Sequence, residues 1–299
     1  MPEREKTVAV LGLLTGAFVW GLIWYPYRVL AAAGFSGLMA TPLSYGVALL
    51  LGLVAWRRAL RACRPSWLLV AIALSAGGCN FGYVLATLHG NVMRVLLLFY
   101  LSPLWTVLLS RLILGERLGR AGAVVIALSL AGAATMLWDP RSAVPLSWAA
   151  AEWIGLAAGL LFALSNVLVR KAAGYPIEVK SVAVFAGVVA LGIAALPFHG
   201  AAAPPPLAAG EWLLVLLLGV VLLLVNMVVQ HGLMRIPANR AIVIMLAELV
   251  VAALSSWLLS GETMATREWL GAVLIVAASL LSGRLEEPRP EPAGQAQAG

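Results

Sequence analysis

Glu248 is the residue whose type and setting most invite chemistry. It stands near the middle of a long apolar run, at about 239–260. A charge at that depth in a bilayer costs roughly 2.5–3.5 kcal/mol on insertion scales. A carboxyl group held there can bind and release a proton as its surroundings change. The alternative is a protonated or paired carboxylate that only fixes helix packing. Ser255, seven residues on, shares its helical face. Arg94 and Arg240 each begin an apolar run. Arginine near a helix end commonly snorkels to the lipid headgroups. The sharper expectation for Arg94 is a mouth residue that grips a substrate carboxylate through its planar fork.

A second set is aromatic and amide. Trp20, Trp24 and Tyr27 share a face of the first apolar run, Tyr83 lies in the third and Trp105 in the fourth. Asn80 and Thr87 share the face of Tyr83, and Asn166, Asn226 and Gln230 come from the second half. A dry cavity with aromatic walls and a few amides suits a small amphipathic solute. Each aromatic has an alternative place in the interfacial belt, and each amide has one as glue between helices. The candidate binding set is therefore Trp20, Trp24, Asn80, Tyr83, Arg94, Trp105, Asn166, Asn226 and Gln230, with Glu248 for proton coupling. His89, His199 and His231 are scattered without metal-ligand spacing, and Cys63 and Cys79 form no disulfide framework. No metal or cofactor is expected. There is no HExxH, GxSxG or Walker A pattern.

The elements that must position these residues are membrane-spanning helices. The 299-residue chain is 62% hydrophobic and 11% charged, with mean hydropathy +0.97. A soluble domain carries roughly 25% charged residues, so most of this surface must face lipid. A span needs about 20 apolar residues. Runs of that length fall at 7–31, 37–56, 66–88, 92–114 and 119–138, then at 150–171, 178–198, 211–234, 239–260 and 266–283. The first is too long for a cleavable signal and is read as a retained span. The net charge of +7 does not point to nucleic acid, because of where the charges lie. With a cytoplasmic amino terminus, only Arg28, Arg94, Arg141 and Arg267 of the 20 Lys and Arg residues fall outside the inner segments. That bias is the positive-inside signature, with both termini cytoplasmic.

The chain also repeats itself. Ser110 to Glu116 and Ser256 to Glu262 each close an apolar run on Gly-Glu, and a Gly-Ala-Val triplet follows each, at Gly122 and Gly271. Arg94 and Arg240 lie equally far upstream of the two Gly-Glu pairs, as do Asn80 and Asn226. Trp67-Leu-Leu-Val and Trp212-Leu-Leu-Val open the third and eighth runs, and Gly12-x-x-x-Gly16 is matched by Gly155-x-x-x-Gly159. The polar stretch Asp139 to Pro145 separates five runs from five. An odd number of spans per half makes the halves insert in opposite senses. The expected fold is an all-α polytopic membrane protein with ten transmembrane helices in two inverted five-helix repeats. The first repeat is 1–138, a linker 139–149, the second repeat 150–283, and a disordered cytoplasmic tail follows at 284–299. Gly115 and Gly261 are expected to end helices, while Glu116 and Glu262 meet the amino-terminal dipole of the next span. The proline-rich stretch 201–210 reads as a stiff external loop.

These residues resemble the EamA type of the drug/metabolite transporter superfamily. The resemblance rests on Leu101-Ser102-Pro103-Leu104, Leu114-Gly115-Glu116-Arg117-Leu118 and Gly122 in the first half. In the second it rests on Ala247-Glu248, Ala252-Ala253-Leu254, Gly261-Glu262 and Leu270-Gly271-Ala272. Trp20-Gly21 and Asn166 to Lys171 also fit, and the likeness spans about residues 8–283. It implies paired five-helix repeats, a central cavity, and export or exchange of small metabolites. The family pattern often has Glu-Pro in the ninth span, whereas Leu249 follows Glu248 here; the first half keeps Pro103. The expected function is a secondary transporter of small organic metabolites such as amino acids, working by alternating access in the cell (inner) membrane as a monomer or weak homodimer. Its partners are the substrate and the bilayer, not nucleic acid. The alternatives are a membrane enzyme that modifies lipids or metabolites, for which no catalytic spacing is present, and a non-transporting sensor or assembly protein, for which the loops are short.

Overall fold

A computed structural model describes residues 3–115, 120–137, 149–199, 208–233, 235, 244–245 and 247–285. Among these the chain is helical throughout, with no strand. The helices are α1 (Glu3–Leu22), α2 (Trp24–Ala32), α3 (Gly37–Ala55), α4 (Arg57–Ala62), α5 (Trp67–His89), α6 (Val92–Phe99) and α7 (Ser102–Leu114). They continue with α8 (Arg120–Leu137), α9 (Ala150–Lys171), α10 (Ile177–Ala195), α11 (Ala209–Leu233), α12 (Ala247–Ser260) and α13 (Thr266–Leu285). Seven stretches are long and apolar enough to cross a membrane, the first joining α1 to α2 and the fourth joining α6 to α7. Gly122–Thr135 and Ala247–Ser260 are shorter apolar helices. Most of the linker and the proline-rich loop, the tail from 286, Glu116 and Arg240 lie outside the described residues.

Two spans are broken where the sequence reading drew single helices. Pro26 has no N–H to offer the carbonyl of Leu22, and α1 gives way to α2 at Ile23. Pro103 likewise cannot bond Phe99, and the fourth span turns through Tyr100 and Leu101 before α7 begins. Gly115 and Gly261 end their helices in the left-handed region, with φ of 72° and 65°.

The bundle is apolar on its outer surface as well as in its core. Val54, Leu112, Leu258 and Trp67 are all more than 60% exposed, as lipid-facing side chains should be. The interior is apolar as well, and the few hydroxyls buried in it fold back onto their own helices. Ser44 bonds the carbonyl of Ala40 at 2.8 Å, Ser75 that of Ala71 at 2.7 Å and Thr87 that of Tyr83 at 3.0 Å.

Helices from the two halves interleave. The α5 helix packs against both α9 and α10, α3 against α10 and α11, α1 against α11 and α12, and α8 against α13. Small residues allow these crossings. A side chain at Gly187 would run into the backbone carbonyl of Ala73, and one at Gly77 would come within 2.7 Å of the Val188 nitrogen. Gly187→Val should therefore force α5 and α10 apart and cost about 3 kcal/mol or more, at the upper end for overpacking. Gly174→Ala, where nothing lies within 4 Å, should be neutral. Unfolding midpoints in detergent test this, and equal midpoints for the two variants would contradict the crossing.

Candidate functional site

The break in the fourth span builds the centre of the site. Asn91 caps α6 by accepting the Arg94 amide at 3.0 Å, and Tyr100 closes the helix with its N–H on Leu96 at 2.8 Å. The turn carries the Tyr100 side chain across to the second half. Its hydroxyl donates to Glu248 Oε2 at 3.0 Å. Glu248 lies in the first turn of α12 and is 8% exposed. Phe99, Tyr100, Tyr83 and Phe162 form a chain of aromatic contacts beside it, with ring centroids 5.2–6.0 Å apart. The Tyr83 hydroxyl points at the Trp20 carbonyl at 3.5 Å, the outer limit of a hydrogen bond. Glycines bring the backbones in: a Cβ at Gly159 would lie 2.6 Å from the Phe99 carbonyl oxygen, and one at Gly21 would lie 2.8 Å from that of Glu248.

The break in the first span is bound to the same helix. The Gly21 carbonyl accepts from Trp24 Nε1 at 3.1 Å and from Ser255 Oγ at 3.2 Å. Trp24 Nε1 also reaches Ser255 Oγ at 3.2 Å. Thus Trp20, Trp24, Tyr83, Glu248 and Ser255 converge from the first, third and ninth predicted spans. Tyr100 joins them, although the sequence reading did not select it. Its only signal was its place three residues before Pro103, at a break in an apolar run, where transporter sites commonly lie.

The remaining candidates stand apart from this cluster or are already engaged. Asn80 accepts from Tyr45 at 2.9 Å and donates to Ala76 at 2.7 Å. Asn226 donates to Ser181 at 2.7 Å. Asn166 is exposed and Gln230 half-buried. The indole N–H of Trp105 is buried without a partner among the described residues.

Arg94 sits at one end of the bundle with two of its three guanidinium nitrogens engaged by carboxylates. Its Nη1 donates to Glu152 Oε1 at 2.7 Å and its Nε to Glu268 Oε1 at 2.8 Å. Each glutamate turns its other oxygen back to the start of its own helix, Glu152 to the Ala149 amide at 3.1 Å and Glu268 to the Ala265 amide at 2.7 Å. Both stand at the third helical position, the acidic half of a capping box. The sequence carried only that half-signature, since Ala149 and Ala265 replace the usual Ser or Thr.

Arg28 makes a second knot at the same end. It donates to Glu262 Oε1 at 3.1 Å, to Ser260 Oγ at 2.9 Å and to the carbonyls of Thr87 and Gly90 at 2.9 and 2.8 Å. Its guanidinium lies 4.7 Å from the centre of the Trp24 ring. Glu262 Oε2 accepts the Val92 amide at 2.9 Å. It therefore faces the amino terminus of α6, where the sequence reading had it meeting the next span. Far from both knots, a cleft of about 450 Å³ lies between the start of α1 and the end of α11, lined by Arg4, Glu5, Val8, His231 and Arg235. It does not reach Glu248.

A polytopic helical bundle with a buried carboxylate at a helix break is the kind of molecule these geometries define. The comparisons with known proteins make this specific. The model of the EamA-like transporter family matches residues 7–138 and again residues 149–284, so the chain belongs to that family, within the drug/metabolite transporter superfamily. A protein of known crystal structure shares the fold, with TM-score 0.61 and 22% identity over 94% of this chain and 99% of that one. A comparison with curated proteins finds no match.

Arg94→Ala would leave two largely buried carboxylates without their counter-charge. Such losses cost about 3–5 kcal/mol when fully buried, and with Arg94 27% exposed about 2–4 kcal/mol is expected. Arg94→Lys should recover only part, because an ammonium lacks the two-armed fork. Chemical denaturation in detergent measures both, and an Arg94→Ala protein as stable as wild type would contradict this.

Proposed function

We propose that the chain is a secondary transporter of small organic metabolites such as amino acids, an exporter or exchanger working by alternating access. Family membership carries the coarse reading, and the finer one rests on a single observation: Glu248 is buried at the broken fourth span, bonded to Tyr100 and walled by aromatics. A buried acid at a discontinuous helix is how transporters commonly build a site that binds and lets go. Glu248 is the proton-coupling group, with Trp20, Trp24, Tyr83 and Tyr100 around it; Asn80, Trp105, Asn166, Asn226 and Gln230, which stand apart from that cluster, are the candidates for contact elsewhere along the route. A substrate carboxylate reaching Arg94 would compete with Glu152 and Glu268.

In this reading ten spans form two inverted halves, about 1–138 and 150–283, joined by the linker 139–149, with both termini cytoplasmic in the cell (inner) membrane. Several facts favour it. The two family matches divide the chain at that linker. The contacts also obey an exchange of halves: α5 lies against α9 as α1 lies against α11, and α8 pairs with α13. In each half the third span's asparagine bonds a hydroxyl of the second, Asn80 with Tyr45 and Asn226 with Ser181. Gly115 and Gly261, of the Gly-Glu pairs 115–116 and 261–262, end their helices in corresponding places, while Pro103 breaks the fourth span. The protein acts as a monomer or weak homodimer.

Purified protein in liposomes tests the function by counterflow across a metabolite panel. With an accepted substrate, Glu248→Gln should flatten the pH dependence of uptake and cut gradient-driven transport by about tenfold, some 1.4 kcal/mol of lost driving coupling. Full activity with an unchanged pH profile would remove the proton role.

A further inference from the structure

We propose that the two arginine knots are a reversible gate that seals one mouth of the transport path, the outer mouth in the orientation above. This deepens the alternating-access reading and rests on it. Each of the three ion pairs among the described residues joins the two halves of the chain. Arg28, at the end of the broken first span, holds Glu262 behind α12, and Arg94, at the start of the broken fourth span, holds Glu152 of α9 and Glu268 of α13. Thr87, Gly90 and Val92 tie the α5–α6 turn into the same knot through their backbones. The cluster thus clamps, at one end, the same two broken spans whose middles meet at Glu248.

The chemistry suits a gate better than a permanent brace. Ion pairs taken out of water gain Coulomb energy but lose hydration, and the two nearly cancel. The charges here are 5–27% exposed, at the edge of water. Opening the mouth would rehydrate three carboxylates and two guanidiniums, so the paired and parted states differ by little. Two further features bias the pairs to re-form in one geometry. The glutamates are pre-aimed, because Glu152 and Glu268 are fixed by their own helix starts and Glu262 by the Val92 amide. The Arg28 guanidinium lies over the Trp24 ring, 4.7 Å from its centre, and the Trp24 indole bonds Gly21 and Ser255 at the first-span break. That gives the gate a direct mechanical connection to the centre: displacing Trp24 removes one of the two donors on the Gly21 carbonyl and its contact with Ser255, two turns along α12 from Glu248.

A native thiol reports on the gate. Cys79 is 5% exposed and lies one turn before Tyr83 on α5. In a Cys63→Ser background it is the sole cysteine. Its labelling by a membrane-impermeant maleimide is measured in intact cells and in inside-out vesicles. Glu262→Gln and Glu268→Gln should each speed labelling from the outer side by about tenfold, the shift expected when one state loses a single charged contact. Ser260→Ala, which removes an Arg28 acceptor without stranding a charge, should act in the same direction more weakly and keeps the test open if a glutamine variant does not fold. Unchanged outer labelling in variants that fold, or labelling that rises equally from both sides, would reduce the cluster to a structural brace and overturn the proposal. Labelling needs no substrate, so it decides the gate, while wild-type counterflow decides the transport reading separately.

Discussion

Inside a hydrocarbon layer no water is available to satisfy a polar group, so each must find its partner within the chain. That one constraint orders most of what is seen here. Hydroxyls such as Ser44, Ser75 and Thr87 bond the preceding turn of their own helices. Asparagines bond hydroxyls on neighbouring helices. The arginines and their glutamates gather at one end, where the partners are nearly complete and water is close. Against this background Glu248 stands out, because a carboxyl group has been kept at depth with a phenol for company.

The same constraint explains where the helices are allowed to break. A proline frees a carbonyl, and in lipid that carbonyl is costly unless something reaches it. At the first break Pro26 leaves the Leu22 oxygen without its N–H, and the neighbouring Gly21 oxygen is met by Trp24 and by Ser255 from the other half. At the second, the backbone around Phe99 is pressed against Gly159 on α9. Breaks therefore sit where the opposite half supplies a donor or a glycine surface. They place Tyr100 and Trp24 in the interior and join the halves at the points where a path between them would pass. Packing and the proposed site share the same aromatic residues here.

Much of the fold could be read from residue order, because hydropathy runs and the repeated Gly-Glu endings are local signals. Gly115 and Gly261 do end helices in the left-handed region, as their positions after apolar runs suggested. Glu248 was legible for the same reason, as an acid alone in an apolar run. What escaped was pairing at a distance. Arg94 reads as a snorkelling or mouth residue until Glu152 and Glu268, 58 and 174 positions away, are seen in its fork. Arg28 gave no periodic or motif signal, and Tyr100 is one tyrosine among six. The half-signature of Ala149 and Glu152 marks a helix start but says nothing about the arginine that completes it. Pro26 and Pro103 mark where helices can break, though Pro42 sits inside the unbroken α3, and which carbonyl would be rescued, and by whom, depends on the packing of the other half.

The central claim is that two related halves lie upside down to one another in the bilayer and enclose the path between them. Equivalent helix ends then face opposite compartments. Single cysteines at Arg120 and Thr263, just past the two Gly-Glu endings, in a chain freed of Cys63 and Cys79, place those ends directly through an impermeant reagent applied to intact cells and inverted vesicles. The account predicts labelling of position 263 from outside and of position 120 from inside. Labelling of both from the same side would contradict it.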